Sequence, residues 1–355
     1  MAAVRKPINL ALQGGGSHGA LTWGVLDRLI EDDRLDIRAL SGTSAGAMNA
    51  VVLADGFARD GKAGARAALT AFWKAVSEAA RYSPAQRTWL DRMTGRYSLD
   101  RSPGYLWMEA MGRLFSPYEL NPFDLNPLRD LLAAQVDFDR VNGSGVFVNV
   151  TATNVRTGLP RVFATGELSV DTVLASACLP QIYKAVEIGG EAYWDGGFSA
   201  NPALYPLVMN SESRDVVIVQ INPFVRQTLP RTAREIINRV NEISFNTSLV
   251  KELRTLALME KAGVQMPGAG PDGALGGAFL HLIHVDEEVQ DLAASSKLNA
   301  EWGYLQTLFD RGRRWAEVWL RDNFDRVGVG STLDLDRLFE EAPRPAGLPP
   351  QLRDA

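Results

Sequence analysis

The chain opens on an apolar run, Ile8 to Leu12, that breaks into Gly14-Gly15-Gly16-Ser17-His18-Gly19 and passes into Ala20 to Ile30, where apolar positions recur at helical spacing. That order predicts a strand, a tight glycine turn and a helix. The pattern repeats at once: Ile37 to Leu40 leads into Ser41-Gly42-Thr43-Ser44-Ala45-Gly46 and a second helical stretch. Two such units within the first 55 residues predict an α/β layer fold with a central, mostly parallel sheet. Later apolar runs predict strands at Gly145 to Thr151, Arg161 to Ala164, Asp215 to Ile221 and Phe279 to Val285, and Val186 to Tyr193 (VEIGGEAY) has the form of a hairpin. Amphipathic stretches at Arg234 to Lys261 and Leu298 to Arg321 predict long helices; in the second, Trp302, Leu305, Leu308, Phe309, Trp315 and Trp319 form a stripe read as core packing.

The pattern breaks between residues 81 and 130, which hold eight aromatics (Tyr82, Trp89, Tyr97, Tyr105, Trp107, Phe115, Tyr118, Phe123) and five prolines. Prolines at that density forbid one long helix, so the expectation is a helical insertion of short pieces, either packing a small core of its own or forming a substrate-facing cap. Val264 to Ala278 reads as a glycine-rich surface loop, and residues 341–355 as a flexible Pro-rich tail.

Composition narrows the chemistry. The chain has 355 residues, and 37 Lys+Arg against 42 Asp+Glu leave a net charge of −5 with no long basic run. That excludes a nucleic-acid footprint. No stretch approaches the roughly 18 apolar residues of a membrane span, and the N-terminal apolar run is too short for a signal peptide. One cysteine, Cys178, and three histidines, His18, His281 and His284, exclude an internal disulfide and a Cys-rich zinc site. A cytoplasmic address is the simplest expectation.

Gly42-Thr43-Ser44-Ala45-Gly46 has the Gly-x-Ser-x-Gly form between a strand and a helix, the setting in which a serine is held on a strained turn with its hydroxyl exposed. The glycine loop Gly14 to Gly19 satisfies a dinucleotide fingerprint, but that reading requires an acidic residue at the end of the second strand, and Asp33 and Asp36 lie before it. The other reading is an oxyanion hole, in which consecutive glycines let backbone N–H groups converge on a negative oxygen. A serine also needs a base. Asp195, in Trp194-Asp195-Gly196-Gly197, is a candidate, although a carboxylate near pKa 3.9 accepts protons poorly unless burial raises it.

Together these features resemble the patatin-like phospholipase family. Its pattern is a Gly-Gly-Gly-x-basic-Gly loop, a Gly-x-Ser-x-Gly elbow about 30 residues later, and a distant Asp-Gly-Gly carrying the base. Here Gly14 precedes Ser44 by 30 positions, and a small-residue block, Ala175 to Tyr183 (ASACLPQIY), sets Pro180 15 positions before Asp195. The resemblance implies a three-layer α/β fold with a catalytic domain over residues 7–210, an insertion or cap at about 81–130, and strands and helices of 211–340 packing on the same domain. It also implies a Ser44–Asp195 dyad with oxyanion donors around Gly14, Gly15 and Gly16, supported by Gly19, Gly42, Gly46, Gly196 and Gly197. No cofactor or metal is expected. The resemblance further implies a lipid acyl ester as substrate and points to peripheral membrane contact. Alternatives are a soluble esterase of small or oligomeric hydroxyacyl esters, or a non-catalytic module that binds lipid or acyl groups.

Two positions depart from the family pattern. His18 stands where the family usually has Arg or Lys, which weakens the positive field expected near the oxyanion loop. Gln13 stands where an acidic residue often precedes the glycines. The chain order Ser44, Asp195, His284 also permits a triad. If His281 and His284 share a strand they point to opposite faces, and only one can reach a site.

Overall fold

A computed structural model describes residues 5–210, 212–262, 277–284, 288–289 and 292–340. The tail from residue 341 and most of the glycine-rich loop at 264–278 lie outside the described residues.

The alternating apolar runs form one eight-stranded sheet: β1 (Lys6–Leu12), β2 (Leu35–Thr43), β3 (Phe147–Asn154), β4 (Pro160–Ala164), β5 (Val186–Ile188), β6 (Glu191–Asp195), β7 (Asp215–Val219) and β8 (Phe279–Ile283). The order is β5-β6-β3-β2-β1-β7-β8, with β4 paired to β3. Strands β3, β2, β1, β7 and β8 run parallel, whereas β4, β6 and β5 pair antiparallel. The sheet is therefore mixed but mostly parallel, as the repeated strand-to-helix units predict. Strands β7 and β8 extend the same sheet beyond β1, so residues after 211 share it with the N-terminal motifs.

Side-chain alternation sorts the sheet into two faces. Ile8, Leu10, Leu12, Val217 and Val219 face a core closed by α1 (Gly19–Glu31), α2 (Ala45–Ala80) and the helix Trp302–Asn323. Ala11, Val216 and Ile218 face the other layer, where Leu249 and Leu253 of the helix Ala233–Lys261 cover them. The tryptophan stripe packs as expected: Trp315 and Trp319 are buried, and Trp302 and Phe309 pack with tilted rings against Trp23 of α1. Buried Asp27 of α1 accepts from Arg66 of α2 and from Arg313, which locks these three helices together.

The insertion is a chain of short helices, Trp89–Met93, Pro103–Leu114, Pro117–Leu120 and Pro127–Gln135. Pro103, Pro117 and Pro127 each start a helix, where the missing N–H is no loss. The segment packs almost no core of its own. Most of its aromatics stay in solvent, with Trp89 72%, Trp107 60% and Phe123 84% exposed.

The histidines differ from expectation. Strand β8 ends at Ile283, so strand alternation stops before His284. His281 is buried between Asp215 (3.0 Å) and Thr332 (2.9 Å) and meets Trp319 edge-on; His284 bonds the Gln220 carbonyl at 3.0 Å and meets Trp315. Both imidazoles therefore lie against one helix rather than on opposite faces.

Candidate active site

Strand register assembles the site. Strand β3 carries β4 along one edge; along the other it carries β2 and then β6, end to end. Thr43, the last residue of β2, sits opposite Thr151, and Asp195, the last of β6, sits opposite the adjacent Ala152. The residue that follows Thr43 therefore leaves the sheet directly at Asp195. On the other side of β2, Leu12 of β1 pairs with Gly42, so the glycine loop emerges beside the serine elbow.

Ser44 has φ 55° and ψ −121°, in the left-handed region that a residue with a Cβ rarely adopts. Such a conformation costs about 1–3 kcal/mol and persists only where its surroundings over-determine it. Here the Ser44 N–H donates to Ser176 Oγ at 2.8 Å, the Ser44 carbonyl accepts from Met48 N–H at 3.1 Å, and Thr43 Oγ1 donates to the Ala200 carbonyl at 2.8 Å. The flanking glycines are required by close approach: a Cβ on Gly46 would lie 2.1 Å from the Leu12 carbonyl oxygen, and one on Gly42 would lie 2.5 Å from the Gly46 backbone. Likewise a Cβ on Gly14 would strike Ser44 Cβ at 2.7 Å, one on Gly19 would strike Ala45 Cβ, and Gly196 and Gly197 lie tight against Thr151 and Phe245.

Asp195 is 2% exposed, and its Oδ1 accepts the Gly197 N–H at 2.8 Å. Ser44 lines the same cavity beside it. Burial pushes its pKa up to about 6, against the smaller opposing pulls of the Gly197 N–H, the Ser44 hydroxyl and the Lys297 ammonium. The sequence-level difficulty of a weakly basic carboxylate is thus met by burial. Among the described residues, no histidine lines the cavity holding Ser44 and Asp195.

That cavity, about 260 Å³, is walled by Met48, Phe72, Trp73, Leu128, Leu179 and Phe245, with Gly14 to Gly16, Ser44, Asp195, Asn201 and Lys297 at its polar end. Of the insertion, Leu128 reaches it.

The glycine loop is pinned from three sides. Gly14 N–H donates to Asn201 Oδ1 at 2.7 Å, and the Gly14 carbonyl accepts from Asn222 Nδ2 at 2.7 Å. Gln13 Oε1 accepts the N–H groups of Ile221 (2.9 Å) and Asn222 (2.8 Å) while its Nε2 donates to Asn246 Oδ1 at 2.8 Å. A carboxylate at position 13 could accept the first two but could not donate the third, so the departure from the family's acidic residue suits the neighbours here. No protein acceptor among the described residues takes the N–H of Gly15 or Gly16. The donor set expected at Gly14, Gly15 and Gly16 narrows accordingly, because the Gly14 N–H is already engaged.

His18 is buried, with Nε2 against Ser296 Oγ at 2.8 Å. Its pKa lies well below the ordinary value, chiefly from burial and then from the charges of Lys297 and Arg226. It is neutral at pH 7 and supplies no positive field. The cation in the cavity is Lys297, on the 3-10 turn Ala294–Leu298, whose Nζ donates to Asn222 Oδ1 at 2.7 Å. Burial lowers its pKa and Arg226 adds to that, while Glu242 and Asp195 pull the other way. Asn201, Asn222, Phe245 and Lys297 carried no sequence signal: each is an isolated residue outside any spacing pattern.

The strained serine and two amide donors without a protein acceptor among the described residues thus follow parallel strands, and a buried carboxylate at the end of the antiparallel strand β6 lies beside them. Residues 10–208 match the family model described as patatin-like phospholipase, over half of the chain. The protein is a carboxylic ester hydrolase, and the chain belongs to the patatin-like phospholipase family. No curated protein sequence matches it. Among solved structures it is similar to VipD from Legionella pneumophila, at 13% identity over 86% of this chain and 67% of that one, with a TM-score of 0.35. It is also similar to a structure of full-length ExoU with full-length SpcU from the type III secretion system of Pseudomonas aeruginosa, at 14% identity over 89% of this chain and 54% of that one, with a TM-score of 0.30. The chain thus spans about half the length of that neighbour.

Proposed function

We propose that the protein cleaves lipid acyl esters with Ser44 as nucleophile and Asp195 as general base. The observation that carries this is a serine held on a strained turn and a buried carboxylate, Asp195, sharing the polar end of one apolar cavity. Ser44 Oγ bonds to the ester carbonyl carbon as its proton passes to Asp195, and the N–H groups of Gly15 and Gly16 receive the oxyanion. Collapse breaks the bond to the alkoxide, which takes the proton from Asp195 and leaves an acyl group on Ser44. Water then attacks the acyl carbon as Asp195 accepts its proton; collapse breaks the bond to Ser44 Oγ, which takes that proton back from Asp195 and frees the acid.

Residues 7–210 act as the catalytic unit, closed by the elements of 211–340. The acyl chain occupies the wall of Met48, Phe72, Trp73 and Leu179. The exposed aromatics of the insertion touch the lipid surface, since amphipathic Trp and Tyr rings favour such interfaces. No helix among the described residues is long and apolar enough to cross a membrane, which suits transient surface contact. An unpaired, buried Cys178 fits a reducing, cytoplasmic setting.

The test is fluorophosphonate labelling with mass mapping, followed by p-nitrophenyl acyl ester turnover. Covalent modification at Ser44, lost in Ser44→Ala, supports the dyad. Near wild-type turnover in both Ser44→Ala and Asp195→Asn sinks it, and a wild type that neither labels nor turns over ester favours a non-catalytic binding module. Comparing short-chain esters with phospholipid vesicles separates the lipid reading from a soluble esterase.

A further inference from the structure

Three side chains that bear on the glycine loop come from beyond residue 200: Asn201, Asn222 and Lys297. The last two form a chain. Lys297 Nζ donates to Asn222 Oδ1 at 2.7 Å, and Asn222 Nδ2 donates to the Gly14 carbonyl at 2.7 Å. An ammonium only donates and a carbonyl only accepts, so one orientation of the Asn222 amide satisfies both contacts. The Asn222 backbone N–H is itself held by Gln13 Oε1 at 2.8 Å. The Gly14 carbonyl belongs to the same peptide unit as the Gly15 N–H, which has no protein acceptor among the described residues. Electron density drawn toward the Gly14 oxygen leaves that N–H a stronger donor.

We propose that Lys297 and Asn222 are positioning residues for the oxyanion site, relaying the lysine's charge through the Asn222 amide onto the Gly14–Gly15 peptide. This rests on the reading that Gly15 donates to the oxyanion. Hydrogen bonds arranged head to tail strengthen one another, by about 10–30% per bond in condensed-phase estimates. The relay is also packed in place: a Cβ on Gly16 would lie 2.5 Å from the Lys297 carbonyl oxygen, so the loop rests directly on the lysine's turn. Nearby Glu242 is matched by Arg226 at 2.6 Å and Arg239 at 3.2 Å, which leaves the Lys297 ammonium directed at Asn222 and the Asp195 end of the cavity. The charge that the family pattern places at position 18 is thereby delivered from the opposite end of the chain.

The experiment measures kcat and KM on a neutral short-chain p-nitrophenyl ester for the wild type, Lys297→Met, Lys297→Arg, Asn222→Ala and the double variant Lys297→Met/Asn222→Ala. Removing a direct oxyanion donor costs about 10²–10³ in kcat, so weakening one donor through a relay is expected to cost about tenfold in each of Lys297→Met and Asn222→Ala. KM should stay within about twofold, because the gain is made only in the transition state. The double variant should be no slower than the worse single variant, since both cut the same chain. Lys297→Arg should recover most of the rate. Losses that multiply in the double variant, a raised KM at unchanged kcat, or singles within twofold of wild type each overturn the relay. If Lys297→Met yields no folded protein, Asn222→Ala and Lys297→Arg decide it on the same readouts. A wild type that is labelled at Ser44 and active while the variants keep full kcat overturns only the relay; a wild type neither labelled nor active overturns the dyad beneath it.

Discussion

The cradle around Ser44 and the insertion at about residues 81–130 are built on opposite terms. In the cradle the backbone is fixed from several sides: the Ser44 N–H by Ser176, the Thr43 hydroxyl by Ala200, and the Gly14 peptide by Asn201 and Asn222. In the insertion, short helices and the turns between them expose Trp89, Trp107 and Phe123, and the helix Pro103–Leu114 buries none of its residues. The contrast matches the roles proposed for each. Stabilising a developing charge would need donors that do not reorganise during reaction, whereas meeting an ester in a disordered lipid surface would need exposed apolar area without one required geometry.

The largest effect expected from breaking the cradle is loss of activity. Ser44→Ala should lower kcat/KM by about 10³-fold or more, as removal of a nucleophile that works as a unit with its base does. Asp195→Asn should match it within about tenfold. A far milder loss in Asp195→Asn would mean another group accepts the proton.

Glycine substitutions should separate the two regions by sign. In Gly46→Ala the new methyl would sit 2.1 Å from the Leu12 carbonyl oxygen, so strand β1 or the elbow must move; a loss of about 3 kcal/mol or more is expected. In Gly112→Ala, on the insertion's helix, the nearest atom is the Gln181 carbonyl oxygen at 3.5 Å, ordinary contact. Helix propensity then favours alanine by about 0.5–1 kcal/mol. Urea melts of the two variants check this, and equal destabilisation would erase the claimed difference in packing.

A smaller effect, and one specific to the cradle, is pH dependence. The Asp195 pKa is raised to about 6 by burial, and the base works ionised, so kcat/KM should fall as pH drops through about 6 rather than near 4. The same shift has a stability consequence. A carboxyl whose folded pKa exceeds its unfolded value binds more protons when folded, so its ionisation destabilises the fold as pH rises through 4 to 6. Asp195→Asn should therefore be more stable than wild type at pH 8, by roughly 2–3 kcal/mol, with the advantage gone below about pH 4. Thermal melts across that range test it; a gain that persists undiminished at low pH would assign it to something other than the buried charge.

The same division governs how much the sequence foretold. Strands and long helices were legible because apolar periodicity reports directly which side chains face a core, and the elbow, glycine loop and Asp-Gly-Gly because each is contiguous. That β6 ends where β2 ends, which brings Asp195 to Ser44, depends on both strands sharing one edge of β3 and leaves no local trace. Asn201, Asn222 and Lys297 were invisible for the same reason: each is one polar residue whose meaning lies in what folds beside it. His284 was misplaced because alternation was carried one residue past the end of β8. The insertion's aromatics were legible as a dense cluster, but their exposure was not, since composition does not say whether an apolar ring is buried.

The smallest effect on chemistry, and the sharpest test of the division, comes from the insertion's outer surface. Trp89 and Trp107 are 72% and 60% exposed, and neither lines the cavity. Replacing both with alanine removes no cavity wall and no buried contact of consequence, so kcat and KM on a soluble short-chain ester should stay within about twofold and stability within about 0.5 kcal/mol. On phospholipid vesicles the same variant should bind about tenfold more weakly, which is roughly 1.4 kcal/mol, an amount two interfacial indole rings readily supply. Vesicle flotation measures the binding and p-nitrophenyl ester kinetics the chemistry. If the soluble rate falls while vesicle binding is unchanged, the insertion is a wall of the reaction chamber, and the separation between a rigid cradle and a surface-seeking cap is wrong.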